Sequence, residues 1–350
     1  MSQPHASKAL GRIVARVLQT SWRSEPEVPS LAENELNQIA PALLKCGAGA
    51  LAWRVISGSA LAETSSGAKL QQAYRVHSLQ AAMHAAEIDY AIGALNRAGV
   101  EPVLVKGWSI ARLYPEAGLR PYGDLDLCFA PEEYRVALSV LSELDPTRFV
   151  VDLHEGFGKL DSLPDRELLE RTERVRVGGA VLRVLGEEDH LRILCTHSLR
   201  HGLWRPLWLS DISVAIERRK ADFDWTRCLG EDDRQADWVR CAIALAGELL
   251  GADVSGTPAS ERVGSLPAWL VARVLKNWSR PYPELYPPQV YSRPMASYIS
   301  RPSGLFQTLS VRWTDPIEAS VRMRAPFNWV PRFPYQLGYM TLRVTRFLRR

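Results

Sequence analysis

The feature of this chain that most constrains its fold is a pair of short apolar segments joined through a glycine turn. Residues 102–106 are predicted to form a buried strand that ends in a lysine and turns at Gly107. A second strand over residues 124–129 then carries Asp124 and Asp126 with one apolar residue between them. Because side chains alternate between the faces of a strand, we expect both carboxylates to point the same way, ~7 Å apart at a rise of ~3.3 Å per residue.

This pattern predicts a site for a divalent cation and a polyphosphate. Two carboxylates on one strand face offer the hard oxygen ligands that Mg²⁺ or Mn²⁺ accepts. Gly107 allows the backbone to approach a phosphate closely, and the N-terminus of the helix that follows directs free N–H groups at an anion. Lys106 adds a compact positive charge beside them. Phosphoryl and nucleotidyl transfer are the reactions that use such a set of groups.

The composition is that of a soluble globular protein, with 46% apolar and 23% charged residues. A chain of 350 residues is long enough for one large domain or two ordinary ones. The net charge of +4 is mild, and a nucleic-acid-binding protein usually shows a concentrated basic patch. We therefore expect no nucleic-acid-binding module.

The sequence also predicts a compartment. Lys8, Arg12 and Arg16 interrupt the N-terminal segment, which argues against a secretory signal, and no window approaches the ~18 apolar residues of a membrane span. Five cysteines are scattered without a Cys-x-x-Cys spacing, which is typical of buried, reduced thiols rather than of disulfides or a zinc site. We expect a cytoplasmic protein without a transmembrane segment.

The order of predicted elements is that of an α+β protein in which helical regions flank a core with a small mixed sheet. Four regions are predicted: an N-terminal helical region (1–99), the core (100–186), a second helical region (187–280) and a Pro/Arg-rich extension (281–350). A long helix over residues 67–97, with Gly99 as its stop, ends the first region. The core is predicted to hold strands over 102–106, 124–129 and 148–154, a hairpin over 174–184 around Gly178-Gly179, and helices over 108–114 and from Pro131 onward.

Several short motifs together resemble those of the bacterial uncharacterised nucleotidyltransferase family within the DNA polymerase β-like superfamily. They are Lys106-Gly107, Arg120-Pro121, Gly123-Asp124-Leu125-Asp126 and Val151-Asp152-Leu153-His154, followed by a helix pair with His190, Cys195, His197, His201, Trp204, Trp208 and Asp211. The likeness extends from about residue 79 to residue 216. The superfamily usually has Gly-Gly or Gly-Ser at the turn, whereas here Trp108 follows the glycine and Ser109 comes one position later.

The resemblance implies a nucleotidyltransferase fold and a set of site residues. Asp124 and Asp126 would bind two metal ions, and Asp152, on a neighbouring strand, would supply the third catalytic carboxylate, as metal ligand or as general base. The phosphate-binding residues would be Lys106, Gly107, Ser109 and Arg120. The donor would be a nucleoside triphosphate, with ATP as the default because it is abundant.

Other residues leave two interpretations open. Arg120 suits either a phosphate or a structural pair with a carboxylate. His154 can orient a metal ligand, contact substrate or form a structural hydrogen bond. Asp211 can recognise substrate or accept hydrogen bonds from His201 or Arg205.

The remaining candidates lie on the later helix pair and at the C-terminus. His197 and His201 share a helix face but lack the glutamate of a zinc-binding His-Glu-x-x-His motif, so they are predicted to line the floor of a substrate pocket. Trp204 and Trp208 can stack on a base or pack in the core. The cluster of Arg343, Arg346, Arg349 and Arg350 fits either a solvated helix face or contact with an anionic partner.

The sequence thus predicts an enzyme that transfers a nucleoside monophosphate from a triphosphate to an unidentified small-molecule, peptide or protein acceptor. Two alternatives remain open. One is a binding or scaffold protein that keeps the fold without catalysis, which the altered turn favours. The other is a metal-dependent phosphotransferase that acts on a metabolite or peptide.

Overall fold

The computed structural model describes residues 3–145, 150–158, 160, 163–279 and 313–348, with side chains from residue 7 to residue 346 within those ranges. The elements in chain order are α1 (Gln3–Leu18), α2 (Glu33–Lys45), α3 (Gly49–Ile56), α4 (Ser65–Arg97), β1 (Val103–Leu104), α5 (Trp108–Ala111), β2 (Leu125–Phe129), α6 (Pro131–Ser142), β3 (Val151–Glu155), α7 (Asp165–Glu170), β4 (Glu173–Val177), β5 (Ala180–Val184), α8 (Glu187–Arg200), α9 (Pro206–Glu217), α10 (Trp225–Leu229), α11 (Asp233–Leu250), α12 (Ala268–Trp278), α13 (Pro316–Arg322) and α14 (Phe333–Leu348). Over these ranges, no helix combines the length and the apolar character that crossing a membrane requires.

A five-stranded mixed sheet forms the core, in the order β3-β2-β1-β5-β4. β1 pairs antiparallel with β2 and parallel with β5, while β3 lies parallel to β2 and β4 antiparallel to β5. The hairpin between β4 and β5 turns at Gly178 and Gly179, and Gly178 adopts a φ of 60° that favours glycine. The predicted α+β fold, a small mixed sheet flanked by helical regions, is confirmed.

The two faces of the sheet pack differently. Leu125, Leu127 and Phe129 of β2 point to one side, into an apolar cluster with α4 and α6. Cys128 points to the other side, into a smaller cluster that includes Ile193 of α8. Because side chains alternate, Asp126 shares the face of Cys128. Its carboxylate is therefore on the side of the sheet that α8 covers.

Most of the remaining helices form a second, larger apolar core. It joins α1, α2 and α3 to α8, α9, α11 and α12. Leu36, Ile39 and Leu43 are buried in it, as their helical spacing predicts. All five cysteines are buried as well, which confirms the prediction of interior thiols.

Helix α4 connects the two cores. It begins at the Thr64 cap, whose hydroxyl accepts a hydrogen bond from the backbone N–H of Gly67, and it ends just before Gly99 as predicted. Leu70, near its start, lies in the helical core, and Ile88, near its end, lies in the sheet core. Between these points Val76, Leu79 and Met83 are exposed. The apolar spacing predicted the helix correctly, but these three residues lie where neither core reaches.

Some predicted boundaries shift or fall outside the described residues. The helix after Gly107 is shorter than predicted and ends at Ala111, and the third strand starts at Val151. The predicted proline-rich connector, residues 281–302, lies outside the described residues, as do Arg349 and Arg350.

A close contact between α1 and α12 gives a stability prediction. A Cβ atom at Gly11 would lie 2.0 Å from the backbone oxygen of Leu275, so the two helices can cross only with glycine there. Gly11→Ala is expected to destabilise the protein by about 1–3 kcal/mol through this overlap. Gly93→Ala, in α4, is the matched control, because a Cβ there meets only the flexible end of Arg97 at 3.6 Å. In thermal denaturation, the melting temperature of Gly11→Ala should fall below that of the wild type. The melting temperature of Gly93→Ala should stay unchanged or rise slightly.

Candidate active site

The acidic residues of β2 and β3 meet on one face of the sheet. Because β2 and β3 are parallel, Asp126 lies directly beside Asp152 and Cys128 beside His154. One ligand atom from each of Asp126, Asp152 and His154 lies within 4.8 Å of the others. Two carboxylates and an imidazole at such separations form a donor set that suits a divalent cation.

The members of this cluster differ in exposure. The Asp126 and His154 side chains are only 10% and 9% exposed, whereas that of Asp152 is 59% exposed. The Nε2 atom of His154 lies 3.3 Å from a carboxylate oxygen of each aspartate. Lys106, just after β1, places its Nζ 3.0 Å from the same oxygen of Asp126 that His154 contacts. Asp126 is therefore held in place, while Asp152 is accessible to a ligand.

The Lys-Gly turn lies next to this cluster. Gly107 adopts a φ of 56°, and a Cβ atom there would lie 3.2 Å from the backbone oxygen of Asp124. Asp124 itself precedes β2 and is exposed, so its carboxylate is outside the three-residue cluster but lines the same cleft. Ser109 is fully buried, and its hydroxyl has no hydrogen-bond partner among the residues that the structure describes.

Arg120 forms a buried pair with Asp211 of α9. Its Nη2 donates to Asp211 at 2.9 Å and its Nε at 3.2 Å, and the Tyr114 hydroxyl donates to the same carboxylate at 2.9 Å. Burial alone would lower the pKa of Arg120, but the adjacent carboxylate outweighs it and raises that pKa. Asp211 is fully buried, and among the described residues it accepts hydrogen bonds from Arg120 and Tyr114, not from His201 or Arg205, the two donors that the sequence left open. This network ties the segment before β2 to α9.

These residues surround a cleft of about 560 Å³. Helix α4 contributes Gln80 and His84 to its lining, the turn and the acidic strands contribute Gly107, Asp126 and Asp152, α8 contributes His197, and α9 contributes Trp208. The lining residues that the sequence predicted are Lys106, Gly107, Arg120, Asp124, Asp126, Asp152 and His197. Ser109, His154, His201, Trp204 and Asp211 are not among the described lining residues.

A comparison with known families gives the cleft a context. The sequence profile of a family of uncharacterised nucleotidyltransferases matches residues 47–251, well over half of the chain. The chain belongs to this family. Membership confirms the resemblance drawn from the Lys-Gly and Asp-x-Asp motifs and indicates a transferase. Neither a curated protein nor a solved structure matches the chain significantly.

An aromatic cluster borders the cleft on the side of α8 and α9. The ring of His197 lies 4.6 Å from that of His201 and 5.3 Å from that of Trp208, and Trp204 lies 5.3 Å from Trp208. Trp204 also packs against the helical core. Of the two tryptophans, Trp208 is therefore the one that faces the cleft.

Two histidines of α8, the buried His190 and the half-buried His197, give a pH prediction. Burial, with nearby positive charges, lowers the pKa of His190 to about 4 and that of His197 to about 2. In the unfolded chain both groups titrate near pH ~6.5. Below that pH the unfolded state binds protons that the folded state excludes, so stability falls as the pH drops, by about 1.4 kcal/mol per unit for each excluded proton.

We expect the melting temperature to decline between pH 6.5 and pH 5. His190→Gln removes one of the two groups that bind a proton only in the unfolded state. The variant should therefore show a smaller slope of melting temperature against pH. An identical slope in the variant would contradict this assignment.

The cleft has seven described lining residues that the set of predicted site residues lacks: Gln80, His84, Pro121, Tyr122, Gly123, Arg205 and Trp208. Gln80 and His84 come from the exposed middle of α4. No local motif marks them, because their place in the cleft depends on how α4 crosses between the two cores. The sequence suggests Arg205 only as a hydrogen-bond donor to Asp211; in the structure its Nε donates to the backbone oxygen of Cys46 at 2.6 Å.

Proposed function

We propose that this protein is a divalent-metal-dependent nucleotidyltransferase that moves a nucleoside monophosphate from a triphosphate to an acceptor. The observation that carries the proposal is the Asp126–Asp152–His154 cluster beside the Lys106-Gly107 turn, in a chain of a nucleotidyltransferase family. ATP is the proposed donor. The proposed acceptor is a small molecule, a peptide or a protein.

Asp126 and Asp152 are the proposed metal ligands, with Asp124 at the edge of the cleft as a further carboxylate. Bound Mg²⁺ or Mn²⁺ would neutralise phosphate charge and stabilise the attacking and leaving oxygens. The Nζ of Lys106 lies 3.0 Å from a carboxylate oxygen of Asp126 and balances part of the negative charge of this cluster. His154 contacts both carboxylates and so fixes their relative positions.

In the proposed reaction a nucleophilic atom of the acceptor forms a bond to the α-phosphorus. The bond from that phosphorus to the oxygen bridging to the β-phosphate breaks, and pyrophosphate leaves with the bonding electrons. Asp152 is the proposed general base, since it is the exposed member of the carboxylate pair and can reach an acceptor proton in the cleft. Asp126, held by Lys106 and His154, is the proposed metal ligand with a fixed position.

The four sequence regions are retained as proposed units. Support comes from the five-stranded sheet, all of whose strands lie within residues 100–186. The cleft is shared, however, because α4 belongs to the first region and α8 and α9 belong to the third. We propose that the core carries the metal chemistry and that the helical regions shape the acceptor side.

The test is ligand-dependent stabilisation followed by label transfer. A ligand that binds the native state raises the melting temperature, so ATP with Mn²⁺ or Mg²⁺ should do so, and ATP with a chelator should not. Label from α-labelled ATP should then appear on acceptor fractions. Label only from γ-labelled ATP would indicate a kinase, and no stabilisation by any triphosphate would favour a non-catalytic scaffold.

A further inference from the structure

Arg205 is held between two elements at the edge of the cleft. It lies directly before α9, and its Nε donates to the backbone oxygen of Cys46, which follows α2. Gly47 leaves room for it, since a Cβ atom there would lie 2.6 Å from the Arg205 Nη2 and 3.2 Å from Pro121. The guanidinium is therefore fixed by a hydrogen bond at Nε and by a glycine that admits its forked end.

Among the described residues, the forked end of Arg205 has no counter-charge. No carboxylate lies within 4.0 Å of it in the described part of the chain, and its only hydrogen bond there is the one from Nε. Burial lowers the pKa of Arg205, and the positive charge of Arg120 lowers it further. Asp211 is close enough to raise the pKa of Arg205, but its oxygens already accept hydrogen bonds from Arg120 and Tyr114.

The other cations of the cleft are engaged. Lys106 pairs with Asp126, and Arg120 pairs with Asp211. Burial keeps the pKa of His197 low, so that side chain is neutral. Among the lining residues that the structure describes, Arg205 is thus the arginine or lysine without an ion pair. A partly buried, unpaired guanidinium beside a cleft is most stable when an anion binds to its two free nitrogens.

We propose that the forked end of Arg205 binds the terminal phosphates of the nucleoside triphosphate. This rests on the proposed function, in which the leaving pyrophosphate gathers negative charge that the cleft must balance. Ser109 is buried below the turn, so the turn offers no exposed hydroxyl at that position to do so. A planar fork suits two phosphate oxygens, which a terminal phosphate group supplies.

The experiment measures binding of inorganic tripolyphosphate, ATP and AMP to the full chain in the presence of Mn²⁺. Arg205→Met should weaken the binding of tripolyphosphate and of ATP by about tenfold to a hundredfold, because it removes one charge-assisted, bidentate contact. The affinity for AMP should change less than about twofold, because AMP lacks the terminal phosphates. Mn²⁺ binding, followed by electron paramagnetic resonance, should stay as in the wild type.

Arg219→Met is the matched control. That arginine also donates to backbone oxygens, of Ile216 and Ser255, but it lies in a different surface cavity. It should leave all three affinities unchanged. If Arg205→Met proves unstable, Arg205→Lys decides, since it keeps the charge and loses the fork: weaker tripolyphosphate binding supports the proposal.

Unchanged tripolyphosphate and ATP affinities in the Arg205 variants would overturn the inference while leaving the proposed function intact. The converse result is a wild type that binds tripolyphosphate through Arg205 without label transfer from ATP. That result would support the anion site and count against nucleotidyl transfer. The two failures are therefore distinguishable.

Discussion

Asp126→Asn is expected to lower Mn²⁺ affinity by about a hundredfold or more and to abolish stabilisation by ATP with metal. Asp126 is the buried member of the carboxylate pair, and the cluster depends on its negative charge. Asparagine keeps the size and one oxygen, so Lys106 and His154 retain a neighbour of the same shape. The measurement is Mn²⁺ titration by electron paramagnetic resonance, with circular dichroism to show that the fold is retained.

Two matched variants sharpen this result. Asp152→Asn should also weaken Mn²⁺ binding, since its carboxylate lies beside that of Asp126 in the register of β2 and β3. Asp222→Asn, an exposed aspartate outside the cleft lining, should have no effect. Wild-type Mn²⁺ affinity in Asp126→Asn would exclude the cluster as the metal site and with it the main support for the proposed chemistry.

Arg120→Met is expected to destabilise the protein by about 3–5 kcal/mol. The reason is that the carboxylate of Asp211, fully buried in α9, would lose the guanidinium that pairs with it. The hydroxyl of Tyr114 alone then remains to solvate the carboxylate. Urea denaturation followed by circular dichroism measures the loss as a shift of the midpoint.

The control for this loss is an exposed ion pair of similar length. Arg174 lies 2.8 Å from Glu101 with its side chain 64% exposed, so Arg174→Met should cost less than about 1 kcal/mol. Removing both charges, in Arg120→Met with Asp211→Leu, should recover much of the stability lost by Arg120→Met alone. Equal midpoints for the Arg120 and Arg174 variants would contradict a buried, coupled pair.

The sequence predicted those features that depend on local spacing. Strand alternation placed Leu125 and Leu127 in a core, with Asp126 on the opposite face. The Gly-Gly pair predicted the hairpin, and helical spacing with a terminal glycine predicted α4 almost to the residue. These signals are local because each is fixed by backbone geometry within a few residues.

The contacts that complete the cleft join distant parts of the chain. Arg120 and Asp211 are 91 residues apart, and Arg205 and Cys46 are 159 apart. No periodicity encodes which arginine meets which carboxylate, because the pairing follows from how α9 packs against the segment before β2. For the same reason, the sequence left Arg120 open between a phosphate and a carboxylate and gave no separate role to Arg205.

Helix α4 limits how the cleft can change shape. Its 33 residues span about 50 Å, and its two ends are anchored in different cores. It contains no proline, and its two glycines, Gly67 and Gly93, lie near its ends rather than over the cleft. Because helices bend sharply mainly at proline and glycine, we expect α4 to stay straight beside the cleft. It then holds the helical core and the sheet core at a constant separation. Under the proposed function, α4 would therefore limit the acceptors to those that fit a gap of set width.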